Sequence, residues 1–274
     1  MLGIVVLDTT CYARLEDPAV LDRLNRSLRS VCLEASPSLI NMFELLSTPN
    51  PGVRCRRLKT VLQIAAGRPL LPMPQDLLRR AGEAVRDGER EFHLVPTGLE
   101  RAPLESATAA RLQPKALAFC NRVEGKFRET HDDARRAVQR FLKEHGKQDA
   151  WPSAAEFLDS QWSTPDLLGH FAGIIWHALN LGGTPPIDDL LANDTWRLYL
   201  EAWGLSVYQR GIMRNQPRQV QRMDLLQIAY LSLGTRGILA SADRPFLSAA
   251  QCLLHGRYRL AEAVHIQELL DSAA

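Results

Sequence analysis

The sequence predicts an α/β protein: a three-layer α/β/α fold around a central, mostly parallel sheet, interrupted by an all-helical insertion. Three observations carry this. Apolar runs of strand length alternate with helix-patterned stretches at both ends of the chain, an order that implies a parallel sheet covered on both faces. Acidic residues stand where the apolar runs end or inside the helical stretches, at Asp8, Glu44, Asp224 and Asp243. All the tryptophans (Trp151, Trp162, Trp176, Trp196 and Trp203) fall in a middle section where strand patterning stops.

Residues 3–7 read as a buried strand, with little alternation and a β-branched content that suits one. Pro18–Ser30 is amphipathic and helical, and Val31–Leu33 reads as a short second strand. Ser36-Pro-Ser-Leu opens a helix that carries Glu44, with proline tolerated in the first turn. A further helix follows Pro51 and ends at Gly67. Leu70–Leu71 is a brief strand candidate, and Gln75–Arg86 is helical. Ser153-Ala-Ala-Glu156 is a capping box, Thr164-Pro165 starts a helix that ends near Gly182-Gly183, and Thr195–Met213 is helical. There Trp196, Tyr199 and Trp203 share one helical face, which suggests an insertion with its own small core. Gln219–Leu233 reads as a helix stopped by Gly234. A strand follows at Ile238–Ala240, then a short helix near Pro245–Cys252, then a last strand at Ala263–Ile266.

Composition is that of an ordinary globular chain: 46% hydrophobic and 23% charged, with a net charge of +2. So small a net charge gives no global basic field, and nucleic-acid contact would need a local patch. The cysteines (Cys11, Cys32, Cys55, Cys120 and Cys252) are scattered and odd in number, without a Cys-x-x-Cys pair. That argues against a disulfide framework or zinc ribbon. The run Ile4–Leu7 is too short for a signal-peptide core, and no stretch reaches the ~20 apolar residues of a membrane span. The expectation is a soluble cytoplasmic protein. Neither a Gly-x-x-x-x-Gly-Lys-Ser/Thr loop nor Gly-x-Gly-x-x-Gly is present, which counts against nucleotide-binding folds, and no Gly-x-Ser-x-Gly elbow occurs.

In a parallel sheet, ligands bind beyond the C-terminal ends of the strands. Asp8, closing the run Gly3–Leu7, and Asp243, following the run Gly237–Ala242, belong at that edge. The segment Asp224–Phe246 combines an acid opening a helix, a stopping glycine, an apolar strand and Ser241-Ala-Asp243. It resembles the C-terminal half of PIN domains, a family of metal-dependent nucleases. Asp8-Thr-Thr10 is similar to the family's opening Asp-Thr-Asn or Asp-Thr-Ser, and Ser38–Leu46 to its second motif, with Glu44 on the helix after strand two. Ala261–Leu270 fits the closing strand and helix. The resemblance covers roughly residues 1–92 and 216–274, leaving 93–215 as a helical insertion before the third acid. Thr10 and Ser241 depart from the commoner family residues but keep a hydroxyl.

The resemblance implies phosphodiester hydrolysis by a metal-dependent endonuclease, with RNA a likelier substrate than DNA on family grounds. Its expected site is Asp8, Glu44, Asp224 and Asp243, holding Mg²⁺ or Mn²⁺, with Thr10 and Ser241 in support. Carboxylates suit such hard cations, and a bound metal lowers the pKa of water and offsets charge on the phosphate. Without metal, clustered acids raise one another's pKa values. Taken singly, each acid has a plainer reading as a helix cap, a loop residue or a first-turn acid favoured by the helix dipole.

Arg210, Arg214, Arg218 and Arg222 recur every four residues and would track a phosphate backbone on a continuous helix, though Pro217 interrupts it and a solvated face is the commoner outcome. Arg54, Arg56, Arg57 and Lys59 form a second basic run. His170 and His177 share an apolar helix but lack further zinc ligands. The partners that follow are RNA (single-stranded or structured, such as transfer RNA), a protein partner such as an antitoxin, and a second copy of the chain, with no membrane. Two other readings stand beside the ribonuclease. One is a catalytically silent PIN-like binding or scaffold protein. The other is a haloacid-dehalogenase-like phosphotransfer enzyme, which wants a second aspartate where Thr10 stands.

Overall fold

The computed structural model describes residues 3–89, 111–119, 121–122, 136, 140, 153–159, 165–211, 225–255 and 258–271. Its sheet has β1 (Gly3–Leu7), β2 (Leu33–Ser36), β3 (Gly237–Ser241) and β4 (Ala261–His265) in the order β2-β1-β3-β4. Every pair is parallel, with Val5 opposite both Ala35 and Ile238, and Leu239 opposite Ala263. β1 and β3 are buried along their whole length, as central strands covered on both faces should be.

The first half packs α1 (Pro18–Ser30), α2 (Leu39–Ser47), α3 (Pro51–Ala65) and α4 (Pro74–Arg86) around this sheet. Local chemistry starts each helix. Asp17 caps α1 by accepting from the Ala19 N–H, with proline in the first turn. Asn50 does the same for α3 through Val53. Ser38 caps α2, and its hydroxyl and the Asn41 side chain cap reciprocally. Helix α2 therefore begins two residues beyond Pro37 rather than at Ser36. The second strand also lies further on than Val31–Leu33. Cys32 adopts a left-handed φ of 55°, which no strand accommodates, and Val31 sits on the surface. The brief strand expected at Leu70–Leu71 reduces to one bridge, Ser38 to Leu71.

Further helices among the described residues include α5 (Ala154–Phe157), α6 (Pro165–Ala178), α7 (Ile187–Ala192), α8 (Asp194–Gly211), α9 (Arg244–Leu254) and α10 (Ile266–Asp271). Gln227–Leu233, expected as α-helix, is wound as 3-10 helix. Its return into β3 is tight: a Cβ on Gly237 would lie 2.7 Å from the Leu231 carbonyl oxygen, an approach open only to glycine.

Two apolar clusters line the sheet. Val5, Leu7, Leu33, Ala35, Ile238 and Ala240 face α1, α3 and α10 on one side. Ile4, Val6 and Leu239 face α4, α8 and α9 on the other. The second cluster runs without a break through Trp176, Trp196 and Trp203. The tryptophan face therefore does not build a separate core; it joins this cluster by packing on α4 and on Gln227–Leu233, which lies against β1 and β3. Gly82 shows how close this packing is, since a Cβ there would meet Leu181 at 2.7 Å and Trp196 at 3.1 Å. Among the described residues, no helix is long and apolar enough to cross a membrane.

A shared core predicts a shared unfolding transition. Trp196→Ala should cost about 3–5 kcal/mol and lower the single melting transition of the sheet and α8 together. Loss of α8 with the sheet transition unmoved, followed by circular dichroism, would contradict the shared core.

Candidate functional site

The strand ends deliver side chains to one edge. Asp8 follows β1 and is almost fully buried, at 3% exposure. A buried carboxylate needs donors to offset its lost hydration, and three reach one oxygen. The Ser241 hydroxyl, at the end of β3, donates to Oδ2 at 2.8 Å. The Thr10 hydroxyl and the Thr10 N–H donate to the same Oδ2. The two hydroxyl oxygens are themselves engaged, Thr10 Oγ1 accepting from the Ala242 N–H at 3.0 Å and Ser241 Oγ from the Asp243 N–H at 2.9 Å. The carboxylate thus ties the turn after β1 to the turn after β3.

Glu44 occupies the adjoining position, one helix away. Its Oε2 accepts from the Thr9 hydroxyl, and Thr9 Oγ1 in turn accepts from Asn41 Nδ2 at 3.2 Å. Asn41 Oδ1 gathers the Ser38 N–H and hydroxyl, each at 2.9 Å, and the Tyr12 hydroxyl at 3.3 Å. Burial first, and the Asp8 charge second, push the Glu44 carboxyl up to about 7, against the pull of the Thr9 hydrogen bond. At neutral pH a large fraction of Glu44 is therefore neutral. Burial, before any charge, also pushes the neighbouring Cys11 thiol well up, so Cys11 stays protonated and donates to the Ala240 carbonyl.

Asp243 behaves differently. It lies on the surface and caps α9, its Oδ1 accepting from the Phe246 N–H. Asp224, Arg214, Arg218 and Arg222 lie outside the described residues, as does the side chain of Arg210, whose backbone belongs to α8. In the second basic run, Arg54 is buried and donates to the Thr48 carbonyl, while Arg56 and Arg57 both pair with Glu16.

This geometry corrects the expectation of a metal-dependent ribonuclease. Among the described residues, no three His, Cys, Asp or Glu side chains gather into a set able to hold an ion. The tetrad Asp8, Glu44, Asp224 and Asp243 is accordingly not supported as an Mg²⁺ or Mn²⁺ centre, nor is the hydrolytic endonuclease, toxin-type or otherwise, that depends on it. The physical reason is competition for lone pairs. Internal donors occupy Asp8 Oδ2, Glu44 tends toward its neutral form, and Asp243 is turned to a helix end. The network instead includes Thr9, Tyr12, Ser38 and Asn41, none of which the sequence singled out as a site residue. The Ser38-x-x-Asn41 capping pattern and the Asn41–Glu44 spacing, one helical turn, were the available signals.

Compared with known proteins, the chain matches no family model, no curated protein and no solved structure.

The Glu44 shift fixes a pH dependence. Its folded value of about 7 lies above its ordinary 4.5, so between those values the folded state binds more protons than the unfolded one. Stability carried by protonated Glu44 is complete below about 4.5 and lost as pH rises through 7. Glu44→Gln should flatten this part of the stability–pH curve and melt higher than the unsubstituted chain above pH 7. Parallel curves for the two proteins across that window would contradict the assignment.

Proposed function

We propose that the chain is a PIN-like domain used as a binding or scaffold module, without turnover of a phosphodiester. Residues 1–92 and 216–274 are its core and 93–215 its insertion. The observation that carries the reading is the state of Asp8: the acid best placed at the sheet edge serves as a structural acceptor for Thr10 and Ser241. The parallel order β2-β1-β3-β4 with helices on both faces is compatible with a PIN-like architecture. The insertion fits a scaffold role, because its tryptophan helices thicken one face of the sheet.

A protein is a better partner for such a module than RNA. A strip that tracks a phosphate backbone needs free cations, whereas Arg54, Arg56 and Arg57 are each committed to internal partners. Calorimetry with Mn²⁺ tests the reading. Neither the unsubstituted chain nor Asp8→Asn should give saturable, stoichiometric heat. Stoichiometric binding by the first that is lost in the second would overturn it.

A further inference from the structure

The C-terminal ends of α1 and α3 wall a cleft of about 270 Å³ over β2. Leu33 and Ala35 form its floor with Leu28 and Ile64. All four are buried members of the core cluster on that face of the sheet, so the floor is closed and apolar. The partial negative charge of helix C-terminal ends would repel an anion, but these two ends are capped. The Leu28 and Arg29 carbonyls accept from the Val31 and Cys32 N–H groups. The Ile64 and Ala65 carbonyls accept from the Arg68 guanidinium at 2.7 and 3.0 Å. Arg68 also pairs with Glu34, the one acid of the lining, and this pair brings the cleft no net charge.

Three polar side chains on the walls have neither a hydrogen bond nor an ion pair among the described residues. Asn25 and Arg29 stand one helical turn apart on α1, and Gln63 lines the other wall from the last turn of α3. Arg29 and Gln63 are exposed and Asn25 is half-buried, so each can be reached from solvent. Arg29 carries the one charge that is not cancelled within the cleft. The Arg68 guanidinium is lowered from its ordinary value, first by burial and then by the like charge of Arg29. A carboxylate at Arg29 would relieve that repulsion and suit its planar fork. The two carboxamides offer donors and acceptors together, which match an amide or a hydroxyl. The volume lies just under the ~300–1,000 Å³ of drug-sized sites, which limits the occupant to a metabolite-sized molecule.

We propose that this cleft binds a free small molecule with one carboxylate, a neutral polar group and a short aliphatic body. The carboxylate meets Arg29, the polar group lies between Asn25 and Gln63, and the aliphatic part rests over Leu28 and Ile64. The site lies toward the N-terminal end of β2, whereas Asp8 follows the C-terminal end of β1. It does not depend on how the Asp8 edge is read.

The test uses the full chain and N-acetylvaline as probe, with N-acetylvalinamide as its uncharged control. In nuclear magnetic resonance spectra the side-chain amide signals of Asn25 and Gln63 should shift saturably with the acid and not with the amide. Arg29→Gln, a surface change, should weaken binding on the order of tenfold or more. Arg26→Gln removes an equal charge from the exposed face of α1, outside the cleft, and should leave binding unchanged. The proposal is overturned by absence of a saturable shift, by equal shifts with the amide, by unchanged affinity in Arg29→Gln, or by an equal loss in Arg26→Gln. Equal shifts with a polyaspartate peptide would assign the cleft to an acidic segment of a protein and would also overturn it.

Discussion

One buried carboxylate organises the working edge of this sheet. Asp8 enters the interior only because donors from two separate turns converge on it. The hydroxyls of Thr10 and Ser241 point inward at its Oδ2, and their oxygens are held by main-chain N–H groups of Ala242 and Asp243. A chain of hydrogen bonds therefore runs from the end of β1 to the start of α9. Each member has its direction set by the next, so the arrangement is more rigid than a single pair.

A second network abuts the first. Tyr12 and Ser38 each donate to Asn41 Oδ1, and Asn41 supports Thr9 beneath Glu44. This satisfies the start of α2 and leaves Glu44 in a site where burial favours the neutral form. Two neighbouring acids are thereby accommodated side by side, Asp8 by its donors and Glu44 by a shift toward its neutral form. The expected mutual repulsion is present, as the Asp8 charge on Glu44, but it is secondary to burial. A divalent ion seeking Asp8 Oδ2 would compete with three donors there, and at Glu44 with the proton that burial favours.

Much of the fold was legible because its signals are local. Pro18 after Asp17 and Pro51 after Asn50 mark helix starts, and an unbroken apolar run marks a central strand at Gly3–Leu7. Reading failed where backbone conformation outruns composition. Val31 and Cys32 have strand character, yet Cys32 turns left-handed and delays β2. The tryptophan periodicity on α8 was visible, but what it packs against is a tertiary fact, and the partners are α4 and the Gln227–Leu233 segment. At the edge, the location of Asp8 follows from where β1 ends. Who occupies its lone pairs does not: hydroxyls from residues two and 233 positions away compete for the oxygens a metal would need, and no spacing rule forecasts the winner. The cleft between the ends of α1 and α3 joins Arg29 to Gln63, distant in sequence, and so appears only once the helices are packed.

The most direct measurement of the central interaction is a double-mutant cycle between Asp8→Asn and Ser241→Ala, read as unfolding free energy in denaturant without added metal. A structural acceptor predicts a coupling on the order of 1 kcal/mol or more between these two positions. Additive effects, together with an Asp8→Asn protein more stable than the unsubstituted chain, would mean that the carboxylate is an unrelieved charge awaiting a cation, and the account would fail.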